Sequence, residues 1–361
     1  MDSLEKARKV INEADEKIAK LFEERMLAAK DIADYKQRHG LKIFDKRRED
    51  EVISKNSAFI KDPVIKEYYV NFLKNTMAVS REYQYRLMKG MRVAYCGTEG
   101  AFAHIATSNF FETAEKIPYS DFESAYRAVE SGECDACVLP VENSYNGEVG
   151  QVTDLMFSGS LFVNSMLEIE VTQDLLVVPG ATASDIKEVI SHPQALGQCA
   201  AYIKEKGYIQ HEYTNTALAA KYVAKKNDKS IAAIASAEAA KIFGLDILER
   251  NINASRNNTT RFAVFTRAEN EKYGKSADVH TVILFTVRNE AGALAKAIEI
   301  IGKHGFNMIS LRSRPMRELS WQYYFYVEAE GNVHTDEGKN MMIELREYCD
   351  RLKAVGTYTK N

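Results

Sequence analysis

Arg25 interrupts an otherwise apolar series at alternating steps of three and four: Leu4, Ala7, Ile11, Ala14, Ile18, Leu21, Arg25, Ala28, Ile32 and Tyr35. That spacing describes one buried face of a helix. A guanidinium on such a face must be paired, because an unpaired buried charge costs several kcal/mol. A bridge to a buried Asp or Glu would satisfy an isolated case. Here Lys36 follows at nearly the same angle, about 16 Å along the helix, and Arg8 flanks the same face. Three cations converging on one face suit an anionic ligand with more than one carboxylate. Arg8 and Arg25 are separated by about 25 Å along a continuous helix, so no small metabolite touches both within one chain. If both bind one ligand, Arg8 comes from a second copy. Antiparallel pairing of two long helices would bring it there and would also cover a helix about 55 Å long.

The elements that must position these groups begin with a glycine-poor segment, residues 1–89, which contains only Gly40 and reads as all helix. The first helix runs from about Ser3 to His39, with Asp2 and Glu5 as a capping box and Gly40 at its end. A second runs from about Asp45 to Phe59. A third starts at Asp62-Pro63, with Pro at the first helical position, and ends at Gly90. Its seam would be Ile65, Tyr69, Phe72, Thr76, Val79 and Tyr83. From Met91 the pattern changes to alternating strands and helices. Strands are expected at Arg92–Tyr95, Ala136–Pro140, Leu161–Leu167, Gln173–Val178, Ile190–Ser191, Ile231–Ile234 and Arg261–Thr266. Residues 268–278 are polar and read as a linker. Residues 279–361 give strand, helix, strand, strand, helix, strand, a ferredoxin-like βαββαβ order.

Composition narrows the function. The 361 residues suit two or three domains, and the 45% hydrophobic content suits ordinary cores. A net charge of −3 offers no electrostatic basis for binding nucleic acid or an anionic membrane. The first residues, MDSLEKARKV, lack the apolar stretch of a signal peptide, and no apolar run approaches the roughly 18 residues of a membrane span. Cys134 and Cys137 form a CxxC, but no second pair or nearby His completes a zinc site. The five cysteines read as thiols of a reducing cytoplasm. No metal and no cofactor are expected. The turn Gly97-Thr98-Glu99-Gly100-Ala101-Phe102 lacks the third glycine of a dinucleotide fingerprint, and no acidic residue ends a second strand, which disfavours a nicotinamide site.

The helical segment resembles the all-helical chorismate mutases along its whole length. The resemblance assigns the carboxylate-binding arginines to Arg8, from across an intertwined homodimer, and Arg25. It assigns the ether-oxygen lysine to Lys36, the second-helix set to Asp45, Arg48 and Glu49, and the third-helix pair to Ser80 and Gln84. The chemistry suits these residues. The rearrangement of chorismate to prephenate is intramolecular and needs no nucleophile or general base. The protein must hold one conformer of a dianion, for which arginines provide bidentate contacts. It must also stabilise charge on the ether oxygen, toward which Lys36 and Gln84 can donate.

Residues 91–267 resemble prephenate dehydratase through Leu139-Pro140-Val141-Glu142-Asn143-Ser144, Ser191-His192-Pro193-Gln194 and Asn258-Thr259-Thr260-Arg261-Phe262. The resemblance implies two α/β lobes around a cleft, as in periplasmic binding proteins, with lobes of about 91–166 plus 245–267, and about 167–244. It gives Thr260 the role of assisting departure of the ring hydroxyl, and makes Glu142, Asn143, Ser144, Gln194 and Arg261 substrate contacts. His104 and His192 read as structural.

Residues 279–361 resemble an ACT domain of the phenylalanine-binding kind, through Gly292-Ala293-Leu294, Asn307 and Ser313-Arg314-Pro315. Arg312 stands where the family motif carries Glu, so Arg312→Glu is expected to restore the family pattern. Together the resemblances imply a bifunctional chorismate mutase and prephenate dehydratase with domains 1–90, 91–267 and 279–361, acting on chorismate and prephenate under phenylalanine control. It would be a homodimer or higher oligomer in the cytoplasm. The alternatives are a catalytically silent metabolite-binding regulator, and an active mutase whose dehydratase ignores phenylalanine.

Overall fold

The structure, a computed structural model, describes residues 2–254, 258–269, 278–316 and 322–359. It divides into two compact units, Met1–Arg92 and Val93–Asn361. No helix among the described residues is long and apolar enough to cross a membrane.

The first unit holds α1 (Ser3–Arg38), α2 (Lys46–Ser57) and α3 (Pro63–Lys89). Each starts on an aspartate cap. Asp2 and Glu5 form the expected reciprocal box on α1. The Asp45 carboxylate accepts from Arg48 N on α2, and that of Asp62 accepts from Val64 N and Ile65 N on α3. Gly40, at φ +63°, turns the chain out of α1. Arg25 donates to Thr76 O, and Gln37 donates to Met88 O. Residue numbers therefore rise together along α1 and α3, and the two helices run parallel. The buried residues of α1 are Ala29 and Ala33, those of α3 are Met77, Ser80 and Gln84.

The helices stand where predicted, but the heptad seam is not buried within one chain: Ile11 is 57% exposed and Leu21 62%. Ile65, Phe72 and Val79 of the α3 seam are exposed as well. The intrachain contact uses a rotated face whose small alanines let α3 approach. The twelve-residue α2 is too short to cover the rest of a 36-residue helix.

The second unit contains three sheets. The first has the order β2-β1-β3-β11-β5. Its strands are β1 (Arg92–Cys96), β2 (Glu115–Tyr119), β3 (Ala136–Asn143), β5 (Phe162–Glu170) and β11 (Thr259–Thr266), with the short β4 (Gly147–Glu148) pairing β3. Helices α4 (Phe102–Phe110), α5 (Phe122–Glu130) and α6 (Gly150–Ser158) belong to this lobe. The second sheet has the order β10-β6-β9-β7-β8, built from β6 (Asp174–Val177), β7 (Glu188–Ser191), β8 (Ile209–Glu212), β9 (Ile231–Ala235) and β10 (Asp246–Glu249). It carries α7 (Pro193–Gln198), α8 (Ala200–Lys206), α9 (Thr216–Lys226) and α10 (Ala237–Phe243).

Strands β2, β8 and β10 were not legible in sequence. All four residues of β8 are exposed, so no apolar alternation marks it. Strand β10 also moves a lobe boundary. Ile247 pairs with Leu176, so residues 246–249 complete the second sheet, and the chain returns to the first lobe only at β11. Thr260 lies inside β11 rather than just before it.

The third sheet, β13-β14-β12-β15, is antiparallel throughout. It comprises β12 (Val279–Val287), β13 (Asn307–Pro315), β14 (Tyr323–Glu330) and β15 (Cys349–Thr359), with α11 (Ala293–Lys303) and α12 (Asp336–Tyr348). The strand and helix order is the anticipated βαββαβ. One face packs on the helices, through Ile283, Phe285, Ile300, Met341 and Leu345. The other joins the first lobe's core, where Val282, Leu284, Tyr326 and Tyr358 share a cluster with Tyr126, Leu139 and Phe265. Gly356 marks the closeness of this contact, since a Cβ there would lie 2.2 Å from the carbonyl oxygen of Val163. Of the linker expected at 268–278, residues 270–277 lie outside the described residues.

Candidate active sites

In the helical unit, Arg25 donates to the Ser80 hydroxyl and to Thr76 O at 3.4 Å. No carboxylate among the described residues pairs with it, so the buried acidic bridge is not formed. Burial lowers the pKa of its guanidinium. Lys36 is half-buried and donates to Ile43 O at 2.6 Å. Both α1–α3 hydrogen bonds join residues 51 apart, which places Gln84 level with Ala33, between the levels of Arg25 and Lys36. Gln84 is 7% exposed, and its Oε1 has no partner. Its oxygen and nitrogen exchange places by rotation, so this buried amide can turn its NH2 to donate to an anionic ligand.

The rest of the predicted helical set divides. Glu49 pairs with Arg81, whose guanidinium also lies 5.3 Å from the Phe44 ring centroid. Sequence reasoning missed Arg81. Asp45 serves as the α2 cap, and Arg48 is exposed beside Glu51 at 3.5 Å. Arg8 is exposed near the start of α1, away from Arg25.

Between the first two sheets of the second unit lies a cavity of about 410 Å³ lined from both lobes, with Asn143, Gln194 and Thr260 on its wall. Asn143 is fixed in orientation. Its Oδ1 accepts from Tyr145 N at 3.0 Å and Asn146 N at 2.9 Å. The amide nitrogen must therefore face the other way, where it donates to Asn258 Oδ1 at 2.8 Å and to Thr260 Oγ1 at 2.9 Å. With its oxygen accepting from Asn143, the Thr260 hydroxyl proton is left to point elsewhere.

Glu142 and Arg261 are the direct neighbours of this pair along β3 and β11, and alternation turns them to the opposite face of the sheet. Neither lines the cavity. This corrects their expected role as substrate contacts. Arg261 donates to both Glu328 oxygens, at 2.9 and 2.7 Å, to Tyr358 Oη at 3.0 Å, and to Glu142 at 3.4 Å. Burial opposes the Arg261 charge, but hydrogen bonding and charge from Glu328 outweigh it and raise the pKa. Burial likewise pushes Glu328 upward, and Arg261 more than reverses this, holding the carboxyl below its ordinary range. Ser144 also serves structure, its Oγ accepting from Thr259 N at 2.9 Å.

His192 caps α7, its Nδ1 accepting from Gln194 N at 3.2 Å, and its side chain lines the cavity as well. His104 stays structural, accepting from Gly100 N at 3.4 Å and packing against Tyr95. Sequence reasoning missed Gln173, Gln198, Asn215 and Thr216 on the cavity wall. Of these, only Asn215 carried a legible signal, as an N-cap before a helix.

In the third sheet, Gly292 caps α11 at φ +87°, with open space where a side chain would project. Added bulk there would act through backbone strain rather than collision. Asn307 donates to Glu330 at 2.9 Å. Arg312 and Arg314 both turn toward the first lobe. Arg312 donates to Glu142 at 2.5 Å, and Arg314 donates to Asp154 at 3.0 and 3.1 Å. Ser313 faces the other way and is exposed. Arg314 is thus committed to the first lobe, which corrects its placement in a ligand pocket beside Gly292. Pro315 borders a separate cavity of about 570 Å³ with Asp154, Phe157, Tyr324 and Arg351.

Residues 7–85 match the chorismate mutase type II family, and residues 93–270 match the prephenate dehydratase family. A bifunctional chorismate mutase/prephenate dehydratase of Aquifex aeolicus is 32% identical over 367 residues, covering 100% of this chain and 99% of that protein. The chain belongs to the bifunctional chorismate mutase/prephenate dehydratase family. Among solved structures, one described as a novel type of quorum quenching acylase is 29% identical, with a TM-score of 0.69, covering 75% of this chain and 98% of that one. The prephenate dehydratase of Arthrobacter aurescens, solved in complex with L-Phe, has a TM-score of 0.68 at 24% identity, covering 74% and 90%. It supports the fold of the second unit. In this bifunctional family member, the helical unit falls in the mutase match and the Asn143–Thr260 pair falls in the dehydratase match.

Proposed function

We propose that the chain converts chorismate to prephenate in its helical unit, and prephenate to phenylpyruvate, carbon dioxide and water in the cleft. The domains are 1–90, 91–267 and 279–361, the last an ACT-type, ferredoxin-like sensor of phenylalanine. The observation that carries the reading is the Thr260 hydroxyl, oriented by Asn143 at 2.9 Å on the wall of a two-lobed cleft.

In the dehydratase reaction, the bond from the ring to its carboxylate breaks, and the electron pair enters the ring. The ring becomes aromatic as the C–O bond to the hydroxyl breaks. One proton completes the departing water. Hydroxide is a poor leaving group, so a donor over this oxygen lowers the barrier. Thr260 fits, because Asn143 occupies its acceptor side and leaves its proton free to point at substrate. In the mutase reaction, Arg25 binds a carboxylate of the dianion, Lys36 and Gln84 donate toward the ether oxygen, and Ser80 holds the Arg25 guanidinium in place.

The exposed α1 seam supports a homodimer in which a second copy covers it and supplies Arg8. The sensor reading rests on the βαββαβ order and on Gly292 at the start of α11. Incubating the pure protein with chorismate and following phenylpyruvate absorbance tests both activities. Formation of phenylpyruvate supports the reading, and absence of turnover with either chorismate or prephenate overturns it.

A further inference from the structure

The start of α9 reaches the same cleft. Thr214, Asn215 and Thr216 line it from the second lobe. The Asn215 side chain accepts from Leu218 N at 2.7 Å, and Asn215 O accepts from Ala219 N at 3.0 Å. This leaves the N–H groups of Thr216 and Ala217, which have no intrahelical acceptor and none among the described residues. They stand at the positive end of an eleven-residue helix.

A second observation points to a ligand in the same place. Gln173 is 3% exposed and lines the cavity, and its Oε1 has no partner. Its backbone is locked, with N donating to Asn253 Oδ1 at 3.0 Å and O accepting from Ile252 N at 2.8 Å. Gln173 sits where the chain crosses from β5 to β6, between the two lobes. A buried amide left unsatisfied is costly, so it is built to be satisfied by something else. Its oxygen and nitrogen can exchange places by rotation, so it can donate to an anion.

We propose that the α9 N-terminus and Gln173 form the subsite for the side-chain carboxylate that the dehydratase substrate keeps. The assignment rests on the function proposed above and on which carboxylate must not bind here. The ring carboxylate loses its charge as it departs as carbon dioxide. Donors that hold that charge would stabilise the ground state more than the transition state and slow the reaction. The retained 2-oxo carboxylate keeps its charge throughout, so a helix N-terminus can bind it uniformly. The departing groups then lie toward Thr260 on the opposite lobe.

The test uses the full-length protein with three single variants. Thr216→Pro removes one N–H and the hydroxyl while keeping a residue that the first helical position accepts. The extended backbone of Asn215, at φ −156° and ψ 166°, is compatible with a following proline. Thr216→Val removes the hydroxyl alone, and Gln173→Leu removes the amide at similar volume. Uniform binding predicts a prephenate KM raised about tenfold in Thr216→Pro and Gln173→Leu, and less in Thr216→Val, with kcat within about threefold of wild type. Phenylpyruvate lacks the ring carboxylate, so its inhibition constant should rise in parallel. An unchanged KM in folded Thr216→Pro and Gln173→Leu overturns the subsite. A raised KM with an unchanged phenylpyruvate constant overturns the choice of carboxylate. A wild-type protein without dehydratase turnover is a different result, and it removes the underlying function.

Discussion

Arg312 donates to Glu142 at 2.5 Å, and the residue after Glu142 is the Asn143 that orients Thr260. The third sheet therefore grips the outer face of the two strands whose inner face bears the candidate hydroxyl donor. From sequence alone, Arg312→Glu is expected to restore a family motif. The structure predicts a cost, because the new carboxylate would face Glu142. Arg312→Ala should destabilise the second unit by about 1.5–3 kcal/mol, the range for a hydrogen bond between charged groups, and Arg312→Glu by more. Denaturant unfolding of the full chain checks the order. Equal stability of Arg312→Glu and wild type would show that the pair contributes nothing.

Thr260→Val keeps the shape of the side chain and deletes its proton. Dehydratase kcat should fall by about two to three orders of magnitude, the scale for losing one transition-state donor. Mutase turnover should persist, so prephenate accumulates from chorismate. Near-normal kcat in this variant would assign the donor role to another group.

Gln84→Glu should make the mutase active only toward acidic pH. A carboxylate accepts hydrogen bonds but cannot donate them, so only the protonated form replaces the amide. An unaltered pH–rate profile would remove Gln84 from donation to the ether oxygen.

Arg8→Ala and Arg25→Ala should each lose mutase activity by about two orders of magnitude. In mixed dimers of the two variants, one of the two sites regains both arginines. Partial recovery is the expected result. Verified heterodimers that stay inactive would argue that Arg8 and Arg25 do not share a site.

Acid should loosen the third sheet from β11. The folded pKa of Glu328 lies below its unfolded value, because Arg261 outweighs the effect of burial. Its contribution to stability is therefore complete above the unfolded carboxylate range, and is lost as pH falls through the depressed folded value. Glu328→Gln should flatten this acid limb of a stability-against-pH curve. A limb of unchanged slope would assign acid sensitivity to other carboxylates.

The helical unit was the most legible part in sequence, because its signals are local. Asp2, Asp45 and Asp62 each cap a helix within three residues, and Gly40 and Gly90 end two of them, so short-range hydrogen bonding set those limits. The strong strands β1, β3, β9 and β11 were visible as buried apolar runs, and Thr260 was marked by its motif. Short polar strands such as β8 carried no such pattern, since pairing rather than composition makes them.

Side-chain direction was what only the tertiary structure decided. Thr260 and Arg261 are adjacent in one motif, yet strand alternation sends the first to the cleft and the second to Glu328. Arg312 and Arg314 belong to a motif read as a ligand pocket, and packing of the third sheet commits both to carboxylates of the first lobe. Gln173 and Thr216, from separate segments of the chain, acquire meaning only because the fold brings both to one cavity with Thr260. The residue types, their caps and their periodicity follow from neighbours along the chain. Which face each side chain meets depends on strand register and sheet packing, and these are settled by contacts between segments far apart in sequence.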